Sequence, residues 1–232
     1  MVDAGKRQKE KVMKKVEIDV VSDVMCPWCL IGKRRLEKAL TMLDGIEVEV
    51  RWRPYQLDST LPEKGKDRQQ YLEDKFGGPE QAREIYGRIE EAGKSEGIDF
   101  AFDKIKVAPN TLNAHRVIRW AANGGEEAQQ KIVERLFELF FVEGANIGDP
   151  AVLLEAAGTV GMNVEVMETL LPTDADRKEV QNEIEAARKM GVTGVPCFII
   201  NNKYAVMGAQ EPATIAEAIK NAAAEMKEEA AE

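Results

Sequence analysis

The strongest constraint on how this chain folds is the place where it keeps two of its three cysteines. Val16-Glu17-Ile18-Asp19-Val20-Val21 alternates apolar and polar residues and then turns wholly apolar, the pattern of a strand entering a core. Cys26-Pro27-Trp28-Cys29 follows. Across residues 30–43, Leu36, Leu40 and Leu43 recur on a helical period with basic residues between them. Pro27 suits the first helical turn, where its missing N–H costs nothing. Asp44-Gly45 ends that helix, and residues 46–50 alternate again as a second strand. Residues 16–52 therefore read as a β–helix–β unit with a Cys-x-x-Cys at the helix start.

That position has chemical consequences. The first N–H groups of a helix lack intrahelical acceptors and carry partial positive charge. A thiolate at Cys26 would sit against them, and only the thiolate attacks a disulfide. Cys29, one turn on, is placed to attack a mixed disulfide formed at Cys26, so Cys26 reads as nucleophile and Cys29 as resolving thiol. Pro27 stiffens the turn. Trp28 offers a flat apolar surface that would contact a polypeptide or shield the disulfide. The competing reading is half of a zinc site. A closed zinc site takes four ligands, and the chain could supply only Cys197 and its single histidine, His115, in addition. Ligand arithmetic therefore favours redox chemistry, with no metal.

The rest of the chain places this unit. From residue 61 to 171 the sequence predicts helices and no convincing strand: over 79–93, 111–122, 126–142 and, opened by the cap Asp149-Pro150, 151–157. Residues 173–190 form a capped helix with Val180, Ile184, Ala187 and Met190 as its apolar stripe, ended by Gly191. Residues 197–200 read as a short buried strand, Asn201-Asn202 as a turn, 204–207 as a return strand and 212–226 as a last helix. The expected architecture is α/β, with an all-helical domain (61–172) inserted into a discontinuous α/β domain (15–60 and 173–228) and a disordered basic arm at 1–14.

Composition excludes other classes. A net charge of −9 argues against a nucleic-acid partner, which wants a basic surface. No apolar run approaches the roughly 20 residues that span a bilayer. The basic start is followed by Glu17, Asp19 and Asp23 rather than an apolar stretch, so it does not read as a secretory signal, and the expected compartment is the cytoplasm.

Several segments together carry a family likeness. Ser22-Asp23-Val24-Met25-Cys26-Pro27-Trp28-Cys29 with Ile31-Gly32-Lys33 resembles the active-site segment of the DsbA family, in its FrnE-like branch. Gly191-Val192-Thr193-Gly194-Val195-Pro196, an apolar strand and Gly208-Ala209-Gln210 resemble that branch's C-terminal segment. Asn113-Ala114-His115-Arg116 and Leu136-Phe137 through Glu143-Gly144-Ala145-Asn146-Ile147-Gly148 resemble its helical-insert motifs. The resemblance implies a thioredoxin fold with a helical insertion between the second strand and the C-terminal helix–strand–strand–helix part. It also implies a cis Val195–Pro196 bond beside the active site, with the Val195 backbone binding substrate and Pro196 shaping the groove. The implied activity is thiol–disulfide exchange on protein or small-molecule disulfides. It needs no cofactor beyond the redox-active pair and draws on a cellular thiol reductant, with glutathione as a candidate co-substrate.

Other residues keep two readings each. Cys197, after the proline, is a buried small hydrophobe or a third thiol near Cys26. Asp23 is a proton relay for Cys29 or a turn cap. His115 is a proton donor or a structural histidine, the second preferred because nothing near it in sequence completes a catalytic arrangement. Lys33, Arg34 and Arg35 read as a solvated helix face, and Trp52, Arg53, Pro54 and Tyr55 as packing residues after the second strand. Two other functions stay open. One is a glutathione-dependent transferase or isomerase of the kappa-class or 2-hydroxychromene-2-carboxylate isomerase type, where a serine commonly replaces the first cysteine. The other is a non-enzymatic polypeptide binder.

Overall fold

Alternation of residue type settles the first strand. In β1 (Val16–Ser22), Val16, Ile18 and Val20 are buried while Glu17 and Asp19 stay half-exposed on the other face. The computed structural model describes residues 15–229, so the basic arm expected at 1–14 lies outside the described residues. Helix α1 (Pro27–Leu40) buries Leu30, Ile31, Leu36 and Ala39. Strand β2 (Val48–Pro54) runs parallel to β1, in register from Val16 opposite Val48 to Ser22 opposite Pro54. Trp52, Arg53 and Pro54 thus belong to the strand rather than following it. Their charged face is tied across the pair: Arg51 bonds Glu17 at 2.7 Å and Asp19 at 2.9 Å, and Arg53 bonds Asp19 at 2.9 Å, the cross-strand pairing that favours opposite charges.

The intervening segment holds β3 (Lys66–Asp67), α2 (Arg68–Phe76), α3 (Pro79–Ser95), β4 (Val107–Ala108), α4 (Leu112–Ala121), α5 (Glu126–Glu138), a π-helical turn (Leu139–Glu143), α6 (Pro150–Thr159) and α7 (Val164–Leu170). Sequence periodicity predicts no strand here. β3 and β4 pair antiparallel over two residues each, too short for a two-residue period to show. Gly65 makes the pairing possible: its φ is +75°, and a Cβ there would lie 2.6 Å from Val107 and 2.7 Å from the Ala108 carbonyl.

The chain then returns through α8 (Arg177–Lys189), β5 (Cys197–Ile200), β6 (Tyr204–Met207) and α9 (Pro212–Glu229). Helix α8 starts later than the expected residue 173 for a visible reason. The fully buried Arg116 donates to the carbonyls of Leu170, Leu171, Thr173 and Ala175 at 2.7–3.1 Å. Those carbonyls are thereby held in a loop, and Asp176 turns into the left-handed region at φ 56° before the helix begins. The four long strands form one sheet in the order β2-β1-β5-β6, with β5 antiparallel to both neighbours. Helices α1 and α9 pack together on one face, and α8 packs against β2 on the other. This is a thioredoxin fold with a helical insertion. Among the described residues no helix is long and apolar enough to cross a membrane.

The inserted segment shares an apolar core with the sheet. One apolar core runs from the α1 face of the sheet into α4, α5 and α6, and Trp52 meets Phe137 edge-to-face at 6.3 Å. Helix α5 also covers the β2 edge, whose free backbone groups would otherwise invite another strand. The Val50 N–H donates to Glu126 at 3.0 Å and the Trp52 N–H to Gln129 at 2.9 Å, while the Trp52 indole donates to Gln130 at 2.9 Å.

The basic run on α1, expected to be solvated, is a clamp instead. Lys33 is buried and pairs with Glu37 and Glu134, Arg34 pairs with Glu134, and Arg35 and Lys38 hold Glu96 at 2.8 and 2.7 Å. Burial alone would raise the Glu134 carboxyl, but bonds from Arg34 and Lys33 outweigh it and hold it at about 2. Its ionised form therefore stabilises the fold above the ordinary carboxyl range near 4.3, and that contribution is lost as pH falls towards 2. Glu134→Gln should cost about 1 kcal/mol at neutral pH, the discounted worth of a half-exposed charged pair. In thermal melts the gap to wild type should close between about pH 5 and 2; a gap independent of pH contradicts the assignment.

Candidate active site

The site forms where β1 ends. Cys26 is the N-cap of α1 in extended conformation, its own N–H bonded to the Asp23 carbonyl at 2.9 Å, and its carbonyl accepts the Cys29 N–H at 3.0 Å. Cys26 makes no side-chain cap bond, and the first turn of α1 holds no acidic residue, so Cys26 stands at the positive end of the helix with no competing carboxylate from that turn. Both thiols are free and buried, Cys26 at 4% exposure and Cys29 at 1%. Burial pushes the Cys29 thiol well above its ordinary range, and hydrogen bonding to Cys26 and a charge there push it further; Ser22 and the Asp23 backbone pull weakly the other way. Cys29 is thus held as a protonated thiol. Trp28, between them, is 38% exposed.

Strand β5 delivers the second half. Val21 pairs with Cys197, which sets the segment just before β5 beside the segment just after β1. The Val195–Pro196 bond is cis, and the Cys26 thiol lies 3.7 Å from the Val195 carbonyl, donating to it. Helix α1 comes close enough for this only because residue 32 is glycine: a Cβ there would lie 2.6 Å from the Pro196 ring and 3.3 Å from Phe198.

Cys197 points away from that meeting. It packs with Val21, Tyr55, Ala187 and Val192 on the α8 face of the sheet, opposite α1, and burial raises its thiol. Its thiol belongs to a different apolar cluster from that of Cys26. Asp23 is fully buried and holds the turn, accepting from the Leu57 N–H at 2.8 Å and the Met25 N–H at 3.4 Å. It also faces His115, whose Nε2 lies 3.4 Å from its carboxylate. Sequence reasoning missed this partner, because the two residues come from different parts of the chain. It missed Ser22 and the spatial role of Gly32 as well. Among the described residues no group of three or more His, Cys, Asp or Glu side chains gathers as a metal site.

The DSBA-like thioredoxin domain matches residues 17–220. The chain belongs to that family. Within reach of this DSBA-like chain is YwbO of Bacillus subtilis strain 168, an uncharacterized protein 30% identical over 194 residues, spanning 81% of this chain and 88% of YwbO. The crystal structure of a probable DsbA oxidoreductase from Streptomyces coelicolor is 28% identical, covers 89% of each chain and superposes with a TM-score of 0.81. The cytosolic disulfide reductase DsbM from Pseudomonas aeruginosa, solved with GSH, shares the fold at 15% identity and a TM-score of 0.56, covering 93% of this chain and all of DsbM (100%).

The contact between Gly32 and Pro196 gives a test of this DSBA-like site. In a helix interior, glycine to alanine ordinarily stabilises by about 1 kcal/mol. Here Gly32→Ala should destabilise by about 1–3 kcal/mol, the cost of overpacking, and should slow disulfide exchange by moving Pro196 away from Cys26. Chemical denaturation and an exchange assay read both effects; a stabilised, fully active variant contradicts the close approach.

Proposed function

We propose that this protein is a dithiol–disulfide oxidoreductase of the FrnE-like branch, acting on disulfide-containing proteins or small molecules. The observation that carries the reading is the asymmetry of the pair. Cys26 sits at an open helix N-terminus beside the Val195 carbonyl, and Cys29 lies one turn behind it, more deeply buried and strongly proton-holding.

Cys26 attacks a substrate disulfide as the thiolate and forms a mixed disulfide. Cys29 then attacks the Cys26 sulfur, closing the Cys26–Cys29 bond and releasing the second substrate thiol. Pro27 fixes the turn. Trp28 and the backbone of Val195 hold the substrate chain, and Pro196 shapes the groove beside them. The catalytic division follows chain order within the motif, since only Cys26 meets both the helix N-terminus and the groove. Asp23 anchors the turn that presents Cys26. A cellular thiol or glutathione regenerates the dithiol, and a cytoplasmic setting, where the glutathione pool is reducing, favours reduction over net oxidation. No bound cofactor, nucleic acid or membrane enters this cycle.

Insulin-disulfide reduction, followed by turbidity with a thiol reductant present, tests the proposal. Wild type should accelerate precipitation. Cys26→Ser should abolish the acceleration, and Cys29→Ser should cut it and accumulate a mixed disulfide visible by mass. Full activity in Cys26→Ser would sink the proposal and favour a glutathione-dependent transferase, whose chemistry tolerates serine at that position.

A further inference from the structure

Side chains of α5 cap the free N–H groups of Val50 and Trp52 on the β2 edge, but Pro54, at the strand's end, has no N–H to cap. Beside that end lies an open cleft of about 280 Å³, walled by β2, α4 and α8 and near the lower size of small-ligand pockets. None of Cys26, Trp28, Val195 and Pro196 lines it, so it stands apart from the redox pair.

The cleft carries charge of both signs. Arg53 and Arg119 face Asp176 and Glu183, and the four are unequally satisfied. Asp176 accepts from the Arg119 Nε at 3.2 Å and from the Trp120 indole at 2.8 Å. One Glu183 oxygen accepts from the Arg119 Nη1. The other lies 3.9 Å from the Arg53 Nη1, too far for a hydrogen bond. Arg53 itself donates from Nε to Asp19 at 2.9 Å. Its two terminal nitrogens, and the Arg119 Nη2, donate to no acceptor among the described residues. A loosely held cation and a loosely held carboxylate oxygen thus stand side by side in one wall.

A buried polar group lines the same cleft. His115 is 3% exposed, and its Nε2 has no hydrogen-bond partner among the described residues. The Asp23 carboxylate lies 3.4 Å away without accepting from it. A buried polar atom left unpaired is costly, and a polar ligand group can relieve it. Pro54, Ile118 and Trp120 add an apolar part to the lining.

We propose that this cleft binds a small zwitterion, an α-amino acid with an apolar side chain. The ligand carboxylate bridges the free ends of Arg53 and Arg119, whose planar forks suit a carboxylate. The ammonium, on the adjacent carbon, takes the Glu183 oxygen that Arg53 does not reach. The polar end of the ligand supplies the partner that His115 lacks, and the side chain lies against Pro54, Ile118 and Trp120. The balance of charge decides the class. A simple anion meets repulsion from Glu183 and Asp176, and a simple cation meets it from the two guanidinium groups. A molecule with both signs on neighbouring atoms matches the wall.

Calorimetric titration of the whole protein tests this with L-phenylalanine and L-leucine as probes. Two blocked compounds serve as controls: N-acetyl-L-phenylalanine, which lacks the ammonium, and L-phenylalaninamide, which lacks the carboxylate. The free amino acids should bind saturably, and each blocked compound should bind at least about tenfold more weakly, the size of one charge-assisted hydrogen bond. Arg53→Met and Glu183→Gln should each weaken L-phenylalanine by a similar factor. Both alter partly exposed side chains, Asp19 keeps its bond from Arg51, and thermal melts check that both variants are folded. No saturable binding of either amino acid overturns the proposal. So does a blocked compound that binds as tightly as its parent, or undiminished binding in both folded variants.

Discussion

The pairing of β1 with β5 is the constraint on which the rest depends. With Val21 opposite Cys197, the end of one central strand and the start of the other meet at one end of the sheet, and the Cys26 thiol comes to the Val195 carbonyl. A slip of one residue would turn every side chain to the other face. Cys197 would then face α1, and Phe198, which now fills the core under Gly32, would face α8. Phe198 and Ile200 oppose that slip, because it would take both out of the core they fill. The redox site is therefore a consequence of sheet register, and the register is held by the apolar residues that β5 commits to the core.

The inserted helices complete the site. Helix α5 covers the edge of β2 with Glu126 and Gln129 and grips α1 through Glu134. Glu96, at the end of α3, holds α1 from a second direction. The helix that carries both cysteines is thus pinned from sheet and insertion at once. Helix α4 brings His115 to Asp23, so the insertion also supplies a polar side chain beside the buried turn. A long interruption of the smaller fold here becomes part of one core and one site.

Much of this was legible in the sequence, for identifiable reasons. β1, α1 and the hairpin of β5 and β6 have strong periodicity bounded by turn residues, and Cys26 and Cys29 stand at a junction that a linear reading finds. What escaped was either short or distant. β3 and β4 are two residues each. The late start of α8 depends on Arg116, a buried cation reaching four carbonyls from another helix. Lys33, Arg34 and Arg35 look like any charged helix face until Glu134 and Glu96 arrive from the insertion. Asp23 and His115 lack partners in sequence and acquire them only in space. Cys197 was ambiguous because strand pairing, not composition, decides which face of the sheet it takes.

The central claim is that Cys26 and Cys29 form a reversible disulfide while Cys197 stays apart. Equilibrating the protein in glutathione buffers of graded ratio, unfolding it in an alkylating reagent and weighing the product measures this directly. Across the titration the account predicts a fall from three alkylated cysteines to one, the remaining one being Cys197. The slope should be that of a two-electron couple, about 30 mV per tenfold change in the equilibrium constant. Three alkylated cysteines at every potential, or a disulfide that includes Cys197, would contradict it.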